Sequence, residues 1–143
     1  MKILVDTNVV TDYITMREPF YKKAYEVMML CADKKVECAI AAHTRPTIYY
    51  ILRKEMDDQA RRNVIKSFLT IFDVVSFSKE MVLDALEREN FKDFEDCLQD
   101  ECAVAVSADY VVTRNVKDFI NGKVTALTPE DFLQEYQKAG TQP

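Results

Sequence analysis

Short apolar runs rich in β-branched residues recur along the chain, and longer stretches with helical spacing separate them. The runs that predict strands lie at residues 3–5, 37–41, 72–75 and 110–112, with a candidate fifth at 124–127. Strands that alternate with helices form βαβ units, in which the sheet is parallel and helices cover both faces. We therefore predict an α/β fold, a three-layer α/β/α sandwich around a central, mostly parallel sheet of 4–5 strands.

Apolar residues at helical spacing predict that the segments between the strands are helices. In residues 21–32, one helix face carries Ala24, Val27, Met28 and Cys31. Two further helices are predicted at residues 9–14 and 59–69. Another should begin at a cap formed by His43 or Thr44, and the next should follow a cap at Ser78. The last predicted helix runs from Pro129 to about Lys138. Two more buried stripes are expected, at Met81, Val82, Ala85 and Leu86 and at Phe94, Leu98, Cys102 and Ala105. Residues 139–143 should fray.

Length and charge narrow the class of protein. We expect residues 1–143 to form a single domain with an ordinary globular balance of 48% hydrophobic and 30% charged residues. The net charge of −5 does not indicate nucleic-acid binding, although a bound divalent cation would offset clustered carboxylates. The N-terminus enters a charged strand and helix at once, and no apolar run approaches the roughly 20 residues of a membrane span. We therefore expect a cytoplasmic chain without a signal peptide or membrane segment.

Several common kinds of site are disfavoured. The four cysteines lack the C-x-x-C spacing of zinc or thioredoxin-like motifs, and His43 is the only histidine, so we expect reduced, largely buried thiols. Serine–histidine catalysis would depend on His43 without any supporting motif. No glycine-rich phosphate loop follows a predicted strand, which disfavours a nucleotide-binding fold.

Three segments place polar or acidic groups where a parallel sheet binds ligands, outside the carboxyl ends of its strands. Asp6, Thr7 and Asn8 follow the first strand, and residues 113–119 follow the fourth. Between them, residues 93–96 open a helix whose Asp93, Asp96 and Asp100 share one face. Carboxylates in a first turn also suit the helix dipole, and for Asp93 and Glu95 we favour that structural role.

Clustered carboxylates repel one another unless a cation joins them. Oxygen ligands without paired histidines or cysteines select hard cations such as Mg²⁺ or Mn²⁺. Such ions position water and stabilise charge on a phosphodiester. The residues alone thus indicate a magnesium-type site for phosphoryl hydrolysis.

Taken together and in this order, the three segments resemble the PIN domain, the nuclease fold of VapC-type toxins. The matching pieces are Val5-Asp6-Thr7-Asn8, Asp93-Phe94-Glu95-Asp96 at a helix start, and Val112-Thr113-Arg114-Asn115 with Asp118-Phe119. The ending Leu127-Thr128-Pro129-Glu130-Asp131-Phe132 also resembles a terminal segment found in one group of PIN domains. The similarity extends over essentially the whole chain.

The resemblance implies a ribonuclease that depends on Mg²⁺ or Mn²⁺, is paired as a toxin with a small antitoxin protein, and works as a homodimer on RNA. It implies that Asp6, Asp96 and Asp118 hold the cation, and that Asn115 occupies a position often held by Asp. The residues implied around them are Thr7, Asn8, Asp93, Glu95, Thr113 and Arg114. Thr7 and Thr113 would order ligands or metal-bound water. Arg114, beside the proposed site, is a better candidate for a phosphate contact than the basic residues scattered over residues 45–66.

One departure keeps a second hypothesis open. PIN nucleases usually carry an acid in the helix after the second strand, and here Thr47 stands at that position. Asn115 lowers the negative charge further, so the alternative is a catalytically weakened PIN-like module that binds RNA or protein. A haloacid-dehalogenase-like phosphatase is a weaker third hypothesis, because that group needs a second Asp where this chain has Asn8.

Overall fold

The central sheet has five strands, and all of their pairings are parallel. A computed structural model describes residues 1–141. The strands are β1 (Lys2–Val5), β2 (Glu37–Ala41), β3 (Asp73–Val75), β4 (Tyr110–Val112) and β5 (Thr125–Leu127). They are ordered β3-β2-β1-β4-β5, so β1 lies in the centre with Leu4 opposite Ala39 on one side and Val111 on the other. The predicted parallel sheet is confirmed.

Seven α-helices surround the sheet within residues 1–141. They are α1 (Thr7–Ile14), α2 (Tyr21–Ala32), α3 (Thr44–Ile51), α4 (Asp58–Ile71), α5 (Lys79–Glu87), α6 (Phe94–Ala105) and α7 (Pro129–Thr141). Short 3-10 helices follow α3 at Leu52–Lys54 and β4 at Val116–Phe119. The side-chain hydroxyl of Thr128 accepts the amide of Asp131 at 3.1 Å, as the predicted cap of the last helix requires.

Each face of the sheet packs against its own layer of helices. Ile3 and Val5 of β1 point into a core shared with α1, α2, α4 and α7, whereas Leu4 points into a core shared with α6. All three side chains are fully buried. A central strand covered on both faces needs a continuous apolar run, and this explains the sequence of β1. The three-layer α/β/α sandwich is therefore confirmed, with all four cysteines buried as free thiols.

Some local predictions are wrong. Phe94, Leu86 and Ala105 are exposed, because α5 and α6 bury only part of each predicted apolar stripe, chiefly at Ala85 and at residues 97–103. No side chain caps α3, and Thr44 turns to another helix instead. The last helix continues to Thr141, and the rest of the predicted frayed tail, Gln142 and Pro143, lies outside the described residues. Within residues 1–141, none of the helices has the length and apolar character needed to cross a bilayer.

Candidate active site

The site lies where the strand order reverses, at the carboxyl ends of β1 and β4. Parallel α/β sheets open a crevice at this point, because the following segments leave in opposite directions. Asp6 follows β1, and its amide donates to the carbonyl of Val112 at the end of β4 at 2.9 Å. Thr113 follows β4 directly, so two residues far apart in sequence become neighbours.

Asp6 is held at both of its carboxylate oxygens. It is the N-cap of α1, and its Oδ1 accepts the amide of Thr7 at 2.7 Å. Its Oδ2 accepts the hydroxyl of Thr113 at 2.8 Å. Asp6 is only 6% exposed, and this burial raises its pKa to about 6, although the bonds from Thr113 and Thr7 oppose the rise. The carboxylate is therefore fixed in position but is costly to keep ionised without a cation.

The loop after β4 is bound to the start of α1. The side chain of Asn8 accepts the amide of Arg114 at 3.2 Å and lies 3.4 Å from the hydroxyl of Thr113. That hydroxyl also accepts the amide of Asn115 at 3.1 Å. The side chain of Asn115 itself is exposed. Thr113 therefore links the predicted residues of both loops, whereas Asn115 contributes chiefly its backbone to this network.

The start of α6 contributes the second predicted metal ligand, Asp96. Asp93 caps this helix, and its Oδ1 accepts the amides of Glu95 at 2.8 Å and Asp96 at 3.2 Å. The pKa of Asp96 is raised to about 7, first by burial and then by the charges of Asp6, Asp93, Asp118 and Glu95. The four neighbouring carboxylates are thus close enough to repel the charge of Asp96, which is the kind of acidic clustering that the sequence predicts for a cation site.

Asp118 completes the group at the wall of an open cleft. It belongs to the 3-10 helix after β4 and is exposed. With Asp93 and Asp96 it lines a cleft of about 520 Å³. Across the part of the chain that the structure describes, no three His, Cys, Asp or Glu side chains already stand in an arrangement that would hold a metal ion. The predicted acids share one site, but they are not drawn together as a finished ligand set.

A second cleft of about 340 Å³ adjoins the same carboxylates. Asp6, Asp93, Glu95 and Asp96 line it together with two arginines, Arg17 and Arg114. Arg17 lies between α1 and α2, outside every motif noted in the sequence. The site therefore combines negative and positive side chains, which suits an anionic ligand bound through a cation.

Three polar residues near the site were not among the predicted ones. The hydroxyls of Thr7 and Thr44 lie 2.9 Å apart, and the Nε2 of buried Gln99 lies 3.4 Å from Thr7 Oγ1. The Nε2 of His43 lies 3.3 Å from Glu95, and burial lowers the pKa of His43 against the opposing charge of Glu95. Gln99 follows Asp96 by 3 residues, and this helical spacing is the one sequence signal that could have found it.

Asp100 does not join the carboxylates, although it was predicted on the face of Asp93 and Asp96. It is completely buried and lies 2.8 Å from the guanidinium of Arg88. It also accepts the amides of Lys123 and Val124 at 3.0 and 3.2 Å. A Cβ on Gly122 would come within 2.8 Å of its Oδ1, so glycine is needed for this approach. Asp100 is separated from Asp93 by seven residues, or about two helical turns, and therefore lies about 10 Å farther along α6, where it anchors the loop before β5.

The fold and the site define a parallel α/β protein with an acidic cleft at the carboxyl edge of its sheet. The sequence model of the PIN domain family matches residues 2–117, which is most of the chain. The chain belongs to the PIN domain family.

Known proteins similar to this chain agree with that assignment. The chain is 28% identical over 139 residues to Ribonuclease VapC1 of Aquifex aeolicus, with 94% of this chain and 95% of that protein covered. A toxin–antitoxin complex from Klebsiella pneumoniae has a TM-score of 0.67 at 21% identity, over 89% of this chain and 97% of that one. VapBC2 from Rickettsia felis, bound to a DNA fragment from its promoter, has a TM-score of 0.64 at 19% identity, over 90% of this chain and 98% of that one. At such identities these solved structures support the fold.

Proposed function

We propose that the chain is a metal-dependent endoribonuclease that hydrolyses phosphodiester bonds of RNA. The observation that carries the proposal is the pair Asp6 and Asp96, whose pKa values are raised to about 6 and about 7 by burial and by neighbouring carboxylates. Acids whose pKa values are strongly shifted and which lie in a cleft are more often found at functional sites than on the rest of a protein surface. The name of the relative from Aquifex aeolicus, Ribonuclease VapC1, supports the choice of RNA.

The donor set fits Mg²⁺ or Mn²⁺. Asp6, Asp96 and Asp118 offer carboxylate oxygens only, which are the ligands that hard cations prefer. Their mutual repulsion raises the pKa of Asp96, and a bound cation would relieve it. Each oxygen of Asp6 accepts one hydrogen bond and keeps a lone pair for a ligand. When bound, a divalent ion supplies an activated water and stabilises charge on the phosphate.

The protein's own groups would fix this chemistry in place. Thr113 and the Thr7 amide orient the carboxylate of Asp6, so little movement is needed when a ligand binds. Asn8 ties the loop that carries Asn115 and Asp118 to α1 through Arg114. Asp93, as the cap of α6, holds the first turn from which Asp96 projects. Glu95 adds negative charge at the rim.

The test is a titration of Mg²⁺ and Mn²⁺ into the wild type and Asp96→Asn, with cleavage of single-stranded RNA followed in the same samples. Both metal binding and cleavage should vanish in Asp96→Asn. Asp33→Asn is the matched control, because Asp33 is an exposed carboxylate at the end of α2. Metal binding that persists unchanged in Asp96→Asn would reject this site, and binding by the wild type without cleavage would favour the RNA- or protein-binding alternative.

We propose further that the chain pairs with a small antitoxin protein and forms a homodimer in the cytoplasm. The support is the fold shared with a toxin–antitoxin complex from Klebsiella pneumoniae. Expression should arrest growth, and co-expression of a small protein encoded beside the gene should restore it. Light scattering after size exclusion should give about twice the 16.6 kDa of one chain. A mass of one chain would reject the homodimer.

A further inference from the structure

Two arginines line the cleft that contains Asp6 and Asp96. Arg17 is exposed in the loop between α1 and α2, and Arg114 is half-buried just after β4. The charge of Arg114 is felt at the site, because it lowers the pKa of Asp6 against the effect of burial. Within residues 1–141, the side chain of Arg17 has no ion pair or hydrogen bond, and the Nη atoms of Arg114 have no hydrogen bond.

The guanidinium of Arg114 forms an ion pair with a buried acid, Asp12. Asp12 of α1 is 2% exposed, and its Oδ2 lies 3.0 Å from the Nε of Arg114. Burial raises the pKa of Asp12, although Arg114 and Arg17 oppose this. A buried ion pair contributes little net stability, because removing both charges from water costs nearly what their attraction returns. The pair is better explained as a device that fixes the direction of the guanidinium.

An aromatic ring fixes the guanidinium from a second side. The ring centroid of Phe20 lies 4.5 Å from the guanidinium carbon of Arg114 and 5.9 Å from that of Arg17. Phe20 is 36% exposed, so its ring remains at the surface beside both arginines. Because the Nε of Arg114 lies beside Asp12, its Nη edge is the part that remains to donate two hydrogen bonds to two oxygens of a phosphate.

We propose that Arg17 and Arg114 bind phosphate groups of the substrate strand at this cleft, and that Asp12 and Phe20 are positioning residues for Arg114. The identity of the strand as RNA rests on the proposed function. Two cationic side chains beside carboxylates would draw one phosphate toward the acids and hold the next along the strand. The competing explanation is that the arginines only neutralise the acidic cluster, and it predicts no loss of RNA affinity when they are removed.

The first experiment measures binding without cleavage. A short fluorescent single-stranded RNA is titrated with Asp96→Asn protein between about 50 and 200 mM salt. Each lost phosphate contact should flatten the plot of log affinity against log salt by about 0.7, so Arg17→Ala should do so once and the double variant with Arg114→Ala about twice that. Lys138→Ala on α7, an exposed lysine outside both clefts, is the control of equal charge. Slopes equal to that of Lys138→Ala would overturn the proposal.

The second experiment separates position from charge. Phe20→Leu and Arg114→Lys change no charge, so the salt slope should stay unchanged while kcat for RNA cleavage falls by about 10- to 100-fold, because a misplaced contact slows the reaction. Asp12→Asn removes the negative charge beside Arg114, so for this variant the fall in kcat alone is the test. Melting temperatures identify any variant that fails to fold. Should Asp12→Asn unfold, Phe20→Leu decides the question, because its ring is partly exposed. An unchanged kcat in Phe20→Leu would reject the positioning role.

The two experiments also separate this proposal from the proposed function. If the wild type cleaves no RNA, the nuclease assignment fails, yet the salt slopes still decide whether Arg17 and Arg114 bind the strand. If the wild type cleaves RNA and the slopes are unchanged, the nuclease assignment stands and the arginine proposal fails.

Discussion

The hydroxyl of Thr113 donates a 2.8 Å hydrogen bond to Oδ2 of Asp6, across 107 residues of sequence. The bond is buried, and it joins the segments that follow β1 and β4. It favours the ionised form of Asp6 and so opposes the effect of burial on its pKa. On the proposed function, we therefore expect the affinity of the site for a cation to depend on a residue that does not touch the cation.

Replacing this hydroxyl should weaken both the fold and the site. Thr113→Val has nearly the same shape but leaves Oδ2 of Asp6 buried without its donor, at a cost of about 1–3 kcal/mol in unfolding free energy. The pKa of Asp6 should rise above about 6, so Mg²⁺ binding at neutral pH should weaken. Urea unfolding and metal titration measure the two effects. Thr113→Ser keeps the donor, and equal behaviour of both variants would show that the hydrogen bond contributes nothing.

The pH dependence of stability should be unusual in the absence of divalent metal. The pKa values of Asp6 and Asp96 are raised from 3.8 to about 6 and about 7, so the folded state binds more protons than the unfolded state between these limits. The contribution of these two acids to the free energy of unfolding is therefore greatest below about pH 4 and is lost as the pH rises through about 6 to 7. Saturating Mg²⁺ should reverse the trend, because it binds the ionised acids.

Asp96→Asn isolates one of these acids. At pH 8 without metal it should raise the unfolding free energy by about 1 kcal/mol, a value reduced for solvent screening, because it removes one of five repelling charges. At pH 4 the gain should disappear, since Asp96 is then protonated in the wild type. Urea unfolding at both pH values checks this, with Asp33→Asn as the control. A variant less stable than the wild type at pH 8 would contradict the repulsion.

The sheet and its carboxylates could be predicted because they depend on local patterns and a simple rule of topology. The apolar run at 3–5 indicates a doubly covered strand, and parallel strands bring their carboxyl ends to one edge. That places Asp6 near Thr113 wherever β1 and β4 pair. The helix before β4 starts at the same edge, which brings Asp96 to the site.

Other parts of the site depend on packing that no local pattern encodes. Asp12 and Gln99 lie at polar positions of amphipathic helices, where solvent exposure is the usual expectation, yet both are buried. Their burial results from partners on other elements, Arg114 for Asp12 and Thr7 for Gln99. Asp100 is a further case, because an acid predicted to share a helix face with Asp93 and Asp96 is fully buried against Arg88.

Arg88 should be important for stability. Its Nη1 lies 2.8 Å from both Asp100 and Glu101, and Asp100 is fully buried. Arg88→Met removes the cation and leaves a buried charge, which should cost about 3–5 kcal/mol. The loop after Asp118 is held by Asp100, so RNA cleavage should also fall. Lys123→Met is the control, because Lys123 contacts Glu101 at 3.2 Å from a half-exposed position and should cost less than about 1 kcal/mol. Equal losses of unfolding free energy in Arg88→Met and Lys123→Met, measured with urea, would show that the buried ion pair of Arg88 is not important for stability.

Thr47 offers the most direct test of whether this PIN domain lacks a working acid. It lies 3 residues after Thr44 on α3, and Thr44 contacts Thr7 beside Asp6. Residues at this spacing share a helix face, so a longer acidic side chain at position 47 would extend toward the carboxylates. Thr47→Glu should therefore lower the metal-free melting temperature by added repulsion and tighten Mg²⁺ binding by about tenfold through an added ligand charge.

Thr47→Gln is the control for Thr47→Glu, because it matches the length of the new side chain without its charge. If the wild type already cleaves RNA and Thr47→Glu changes the rate little, Asp6, Asp96 and Asp118 are a sufficient set, as we propose. If cleavage appears only in Thr47→Glu, the natural chain is the catalytically weakened module. The melting temperature decides whether the new acid reaches the site at all, because Mg²⁺ should restore the stability of Thr47→Glu only if the Glu shares the cation with Asp6.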